Sequence, residues 1–203
     1  MANITEVDYE KMPGQAATIR TEGNSLKDNL NGLFTEAKNM HENRYGLRYN
    51  SLITELNSMI PVVDDILKLV IDEIPVALET VARNYVLADG ATPNTVNEKE
   101  MPSMESIETT VDVGMRFIST SVSANKDTIE TKIQNALENL SAIESEYSNV
   151  VWDSESATAF SAKFSSLKSS IEIALNSVKT NLSKLMVAAE EDISNAEQNN
   201  TVQ

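Results

Sequence analysis

Leu26, Leu30, Leu33, Ala37 and Met40 recur in alternating steps of four and three, which sets them on one face of a helix. The spacing predicts a first helix from about Pro13 to Asn43. A second series, Leu52, Leu56, Met59, Val63, Ile66, Val70, Ile74, Ala77, Val81 and Tyr85, keeps the same period. It predicts one long helix, bent where Pro61 and Pro75 each remove a backbone donor. Between Asp89 and Ser103 the period stops, and turn formers and charges collect in a linker over 90–103. Ser103, with Glu105 and Glu108 close behind it, suits a helix start, where a side-chain oxygen caps free N–H groups and acids meet the positive end of the dipole. A third helix is then expected to carry Ile107, Val111, Phe117, Ile118, Ile129, Ile133, Ala136, Leu140, Ile143 and Tyr147. After a break around 151–155, a fourth presents Phe160, Phe164, Leu167, Ile171, Ala174, Val178, Leu182, Leu185, Ala189 and Ile193.

The second and fourth series step identically, so that Leu52 matches Phe160 and Tyr85 matches Ile193 at an offset of 108. Before the turns the offset is 107, pairing Leu26 with Ile133, Leu33 with Leu140, Met40 with Tyr147 and Tyr45 with Trp152. The halves therefore read as internal repeats. Residues 1–89 form a first helical hairpin and 104–203 a second. One hairpin buries its apolar stripe poorly, whereas two close a four-helix bundle, so the expected fold is all-α, with tandem antiparallel hairpins packed together. A short linker keeps the hairpins at high effective concentration, which favours an intramolecular pair in a monomer over a dimer.

Composition narrows the function. The 16 Lys+Arg against 31 Asp+Glu give a formal charge of −15, which repels phosphate backbones and anionic lipid alike and argues against nucleic acid as a partner. Both halves share the excess: 8 basic and 14 acidic residues up to Asp89, 8 and 17 beyond it. The 0 Cys exclude disulfides and thiolate chemistry. The opening residues, Met-Ala-Asn-Ile-Thr-Glu-Val-Asp, carry neither a basic head nor an apolar core, so no cleavable signal peptide is expected. Apolar runs such as 66–71 are broken by charge far short of the ~20 residues that span a bilayer, so no transmembrane segment is expected either. Catalytic inventory is poor. The 1 His, His41, sits in the last turn of the first helix, where the dipole favours it without further role. Asp64-Asp65 and Glu190-Glu191-Asp192 lack the loop spacing of a cation site and read as solvated helix faces. Neither an enzyme nor a cofactor or metal site is expected. Sequons at Asn139 and Asn181 fall mid-helix and read as coincidence.

At the two turns the chain reads Arg44-Tyr45-Gly46-Leu47 and Val151-Trp152-Asp153-Ser154. An aromatic ring beside small, turn-permitting residues suits a bend, the ring sealing the bundle end and Gly46 or Ser154 taking unusual backbone angles. This arrangement resembles the WXG-motif family, small helical-hairpin substrates of type VII secretion systems that pair as antiparallel dimers. Each half of the chain is similar to one such hairpin. Ser154 stands where the family has Gly, Tyr45 where it has Trp, and Gly46 falls one position early. Tyr85-Val86-Leu87-Ala88-Asp89 also resembles the Tyr-x-x-x-Asp/Glu export signal that follows the family's second helix, while the second half has no counterpart at Asp192 or Ile193. The resemblance implies a fused hairpin heterodimer with an export signal at Tyr85 and Asp89. Such a bacterial protein would be cytoplasmic before export and secreted afterwards, with the secretion ATPase and other secreted proteins as partners. The alternative is a cytoplasmic adaptor or chaperone for a secreted toxin.

Overall fold

The computed structural model describes residues 7–42, 44–101, 103–109 and 116–200, without the side chains of Arg44, Tyr45 and Leu47. The expectations for Asn43, for Val111 and for the first six residues lie outside them. Helix α1 covers Met12–Met40, and after a two-residue strand β1, Arg44–Tyr45, the chain enters α2, Leu47–Lys68. A π-helical turn, Leu69–Glu73, runs without a break into α3, Ile74–Ala88. Strand β2, Arg116–Phe117, precedes α4, Ser119–Ser148, and α5, Glu155–Asn199. With 79% of the described residues helical, the fold is all-α, and the β1–β2 ladder, two residues on each side, forms no layer of its own.

The hairpins pair antiparallel. Along α1 and α4, Gln15 Nε2 donates to the Asn149 carbonyl (3.0 Å), Asn139 Nδ2 to Glu22 (2.8 Å) and Asn29 Nδ2 to Asn139 Oδ1 (3.0 Å), so rising numbers on one helix meet falling numbers on the other. Arg48 with Asp192 (2.9 Å) and Glu73 with Lys163 (2.6 Å) mark the same sense along α2–α3 and α5. Leu26, Leu30, Leu33, Ile133, Ala136 and Leu140, the residues that carry the predicted period, are all buried in one core. Both sequons prove to be interhelical glue, since Asn181 likewise donates to Glu55 (2.8 Å).

The long second helix departs from the expected register at the π turn. Pro75 has no N–H to offer the Ile71 carbonyl, and its ring crowds that turn; one extra residue in the coil makes room. Arg20 Nε supplies the missing donor to Ile71 at 3.1 Å. The inserted residue moves the core positions after Ile74 on by one. Where the period predicts Ala77, Val81 and Tyr85, the structure buries Leu78 and Ala82 and leaves Tyr85 outside. Pro61, by contrast, sits inside α2 with the helix continuing through it.

The expected 90–103 linker is longer and far more ordered than a tether, and no helix starts at Ser103. Residues 92–101 and 103–109 have no regular secondary structure, Ile107 is buried from that non-helical chain, and helix resumes at Ser119 with Ile118 as its N-cap. The cause is topological: antiparallel pairing puts the start of α4 at the opposite end of the bundle from the end of α3, so the connection must travel back the full length. It does so along α2–α3, where side chains bond to its backbone. Asn57 accepts from the Ile107 N–H (2.9 Å) and donates to the Ile107 carbonyl (2.7 Å). Asp64 accepts from the Met104 N–H (2.9 Å) and the Ser103 hydroxyl, Asp72 from the Lys99 N–H (2.8 Å) and Glu79 from the Asn97 N–H (2.7 Å). Helix from Asn57 to Glu79 rises about 33 Å at about 1.5 Å per residue, and ten residue steps reach about 33 Å at the roughly 3.3 Å per residue of extended chain, so Asn97 and Ile107 can meet Glu79 and Asn57. The strap ends by pairing β2 with β1 at the first hairpin turn.

Candidate recognition surface

Tyr85 and Asp89 occupy the last turn of α3, and the way that helix stops determines where they point. Gly90, at φ 74°, takes the left-handed conformation that glycine adopts without penalty. Its N–H bonds to the Leu87 carbonyl (3.1 Å) and the Ala91 N–H to the Val86 carbonyl (3.1 Å), the paired bonds of a Schellman stop. Asp89 is thereby the C-cap residue, and its side chain stands at the bundle end.

The structure adds a third residue to this pair. Tyr9 stacks on Tyr85 with ring centroids 5.7 Å apart and planes 11° from parallel, and its hydroxyl donates to the Asp89 carboxylate. That hydrogen bond, and then the charge of Asp89, raise the Tyr9 phenol pKa, because ionisation would set two negative groups together. Tyr85 remains 40% exposed even so. Its ring is therefore not a core residue, and Ile193, its counterpart in the second half, is itself only partly buried.

Antiparallel pairing brings the second turn to the same end. The Asp8 N–H donates to the Val151 carbonyl (3.0 Å), and Val7 forms an isolated bridge with Trp152. Residues 7–9 thus tie the Trp152 turn of one hairpin to Tyr85 and Asp89 of the other. Trp152 is half-buried and tilts against Phe160 at 6.3 Å between centroids. Ser154 does not adopt unusual angles: at φ −154°, ψ 161° it is extended, and its hydroxyl caps α5 by accepting from the Ala157 N–H (3.0 Å). Gly46 does meet the expectation, at φ 129°. It lies with Tyr45 at the far end of the bundle, and the Tyr45 side chain is outside the described residues. The structure therefore unites Tyr85, Asp89 and Trp152 at one end and separates Tyr45 and Gly46 from them.

A half-buried ring loses less on truncation than a fully buried one. Trp152→Ala is expected to cost about 1–2 kcal/mol, below the range of about 3–5 for deeply buried aromatics, as read from denaturant midpoints. A larger loss would mean that the turn is a main structural contact.

Beside Trp152, Tyr147 donates its hydroxyl to the Ala157 carbonyl (3.0 Å), and burial pushes its phenol up to about 12. A pKa raised in the folded state supplies stability that is complete below the ordinary value of 10 and is lost as pH climbs toward 12. Melting temperatures should therefore fall over that alkaline interval, and Tyr147→Phe should flatten the fall. An unchanged slope in the variant would remove Tyr147 from the account.

Tyr9 escaped the sequence reading because its partners lie about 80 positions away and no local pattern marks it. Asn57, Asp64, Asp72 and Glu79 did leave a trace: polar residues seven, eight and seven apart along α2–α3, the extra step falling at the π turn. Among the described residues no group of three or more His, Asp or Glu is placed to hold a metal ion, and no helix is long and apolar enough to cross a membrane.

Fold and surface together define a single-chain pair of antiparallel helical hairpins, strapped along one side, with an aromatic and acidic cluster at one end. No family model, curated protein or solved structure matches the chain.

Proposed function

We propose that the chain is a non-enzymatic recognition protein, a hairpin heterodimer in one polypeptide that is exported by a type VII system of the kind the WXG-motif family uses. The observation that carries this reading is the meeting of Tyr85, Asp89 and the Trp152 turn at one end of the bundle, joined through residues 7–9. A receptor on the secretion ATPase would read the ring and the carboxylate together, since residues four apart share a helix face. The negative charge spread over both hairpins keeps the bundle from anionic surfaces and leaves protein partners as the fitting class.

Export tests the reading. Asp89→Ala removes an exposed carboxylate and should leave thermal unfolding nearly unchanged, yet abolish appearance of the protein in the culture supernatant of a host carrying the secretion system. Because the Tyr85 ring stands outside the core, Tyr85→Ala is an equally direct second test. Normal export of both folded variants would sink the export reading and favour a cytoplasmic adaptor.

A further inference from the structure

The contact between Tyr9 and the end of α3 has the form of a ligand in a site. The Tyr85 ring offers a flat apolar face, Asp89 an acceptor beside it, and the arriving segment supplies what fits both, an aromatic ring ending in a donor. Aromatic rings favour stacking at this separation, and a hydroxyl donating to a carboxylate is among the stronger hydrogen bonds. The segment that brings Tyr9 is held by few hydrogen bonds. Among the described residues, the backbone bond from Asp8 to Val151, within the Val7–Trp152 bridge, anchors it on one side and the Tyr9 contact on the other; Val7 and Tyr9 pack half-buried against the core, and the ion pair of Asp8 with Lys11 at 2.5 Å is internal. Beside the Tyr9 ring a cleft of about 400 Å³ continues between Pro13, Val86 and Pro93, leaving room for the neighbours of an incoming aromatic residue.

We propose that Tyr85 and Asp89 form a docking site for an extended peptide segment carrying a tyrosine, that Tyr9 fills this site in cis, and that a partner binds by substituting its own tyrosine. The inference rests on the reading of Tyr85 and Asp89 as a recognition surface and adds the chemistry of what they recognise and the residue that guards them. Tyr9, tethered to α1 by two residues, competes at an effective concentration in the millimolar range or above, so a partner segment must bring additional contacts to displace it.

The test uses the full chain and a synthetic heptapeptide, Val-Asp-Tyr-Glu-Lys-Met-Pro, which copies residues 7–13. Titrated into Tyr9→Ala chain, the peptide should shift backbone amide resonances over 85–94. Binding to wild-type chain should be at least roughly tenfold weaker, because the cis tyrosine competes. Peptides with Phe or Ala in place of Tyr should lose affinity stepwise, the first losing the hydrogen bond and the second also the stack. Adding Asp89→Asn to the Tyr9→Ala chain should weaken the tyrosine peptide selectively. A well-dispersed spectrum establishes that each variant is folded, and Tyr9→Phe, which keeps the stack, serves as a milder opening of the site. Absent or scattered shifts, equal affinity for wild type and Tyr9→Ala, or equal binding of the Ala peptide would each overturn the proposal. Peptide binding together with normal export of Asp89→Ala would leave the docking site standing and remove only the export reading. Export that depends on Asp89 without peptide binding would do the reverse.

Discussion

Arg20→Met is expected to lower the unfolding free energy by about 3–5 kcal/mol, the range for stranding one member of a buried ion pair. Arg20 reaches from α1 to three acceptors: Glu79 (2.8 Å), the Ile71 carbonyl left free by Pro75 (3.1 Å) and the Asn97 carbonyl of the strap (3.0 Å). The side chains of Arg20 and Glu79 are only 12% and 5% exposed, so solvent cannot take over for a lost partner. Burial alone would raise the Glu79 pKa, but hydrogen bonds from Arg20 and Asn97 and the Arg20 charge outweigh it, and the carboxyl is held below its ordinary value of 4.5. A depressed pKa supplies stability that is present above that value and lost as pH falls through the folded one. Urea midpoints for Arg20→Met, Glu79→Gln and the double variant near neutral pH would measure the coupling, which should exceed about 1 kcal/mol. The gap between wild type and Glu79→Gln should close in acid. A loss below about 1 kcal/mol for Arg20→Met would show that the strap and the π turn stand without it.

Gly23→Leu is expected to cost about 3 kcal/mol by overpacking. A Cβ at position 23 would come within 2.8 Å of Ile71 Cγ1 and 3.0 Å of Val70 Cγ2, so α1 passes the π turn at a separation that admits no side chain. Ordinarily a mid-helix glycine is a weakness of about 1 kcal/mol against alanine, and here close approach overrides propensity. Gly14, with nothing within 4 Å of the corresponding point, is the control, and Gly14→Ala should stabilise by up to about 1 kcal/mol. If Gly23→Leu melted like wild type, α1 and the π turn would have to be able to separate at little cost.

Both variants probe features with no local signature, which is where sequence and structure part company. The stepping of Leu26, Leu30, Leu33, Ile133 and Leu140 was enough to place α1 and α4, because a helix face repeats every few residues and burial follows that repeat. The offset between the halves likewise announced two hairpins, and the turn-forming run after Asp89 announced a break. Tyr85 and Asp89 stand out in the sequence only through their resemblance to the Tyr-x-x-x-Asp/Glu export pattern at the end of a second helix. Register beyond Ile74 could not be read, since whether Pro75 bends a helix or inserts a residue depends on whether another segment supplies a donor for Ile71, and that donor is Arg20, 51 positions away. Locally the strap reads as a tether and the start of a helix because Ser103, Glu105 and Glu108 satisfy a capping pattern. Tertiary bonds from Asn57, Asp64, Asp72 and Glu79 hold that stretch out of helix instead. Likewise Tyr9 joins Tyr85 and Asp89 only when the antiparallel pairing of hairpins brings residues 7–9, the Trp152 turn and the end of α3 to one place. Periodicity is a property of neighbours within a turn or two of helix; long-range side-chain bonds to backbone depend on which surfaces meet, and only packing settles that.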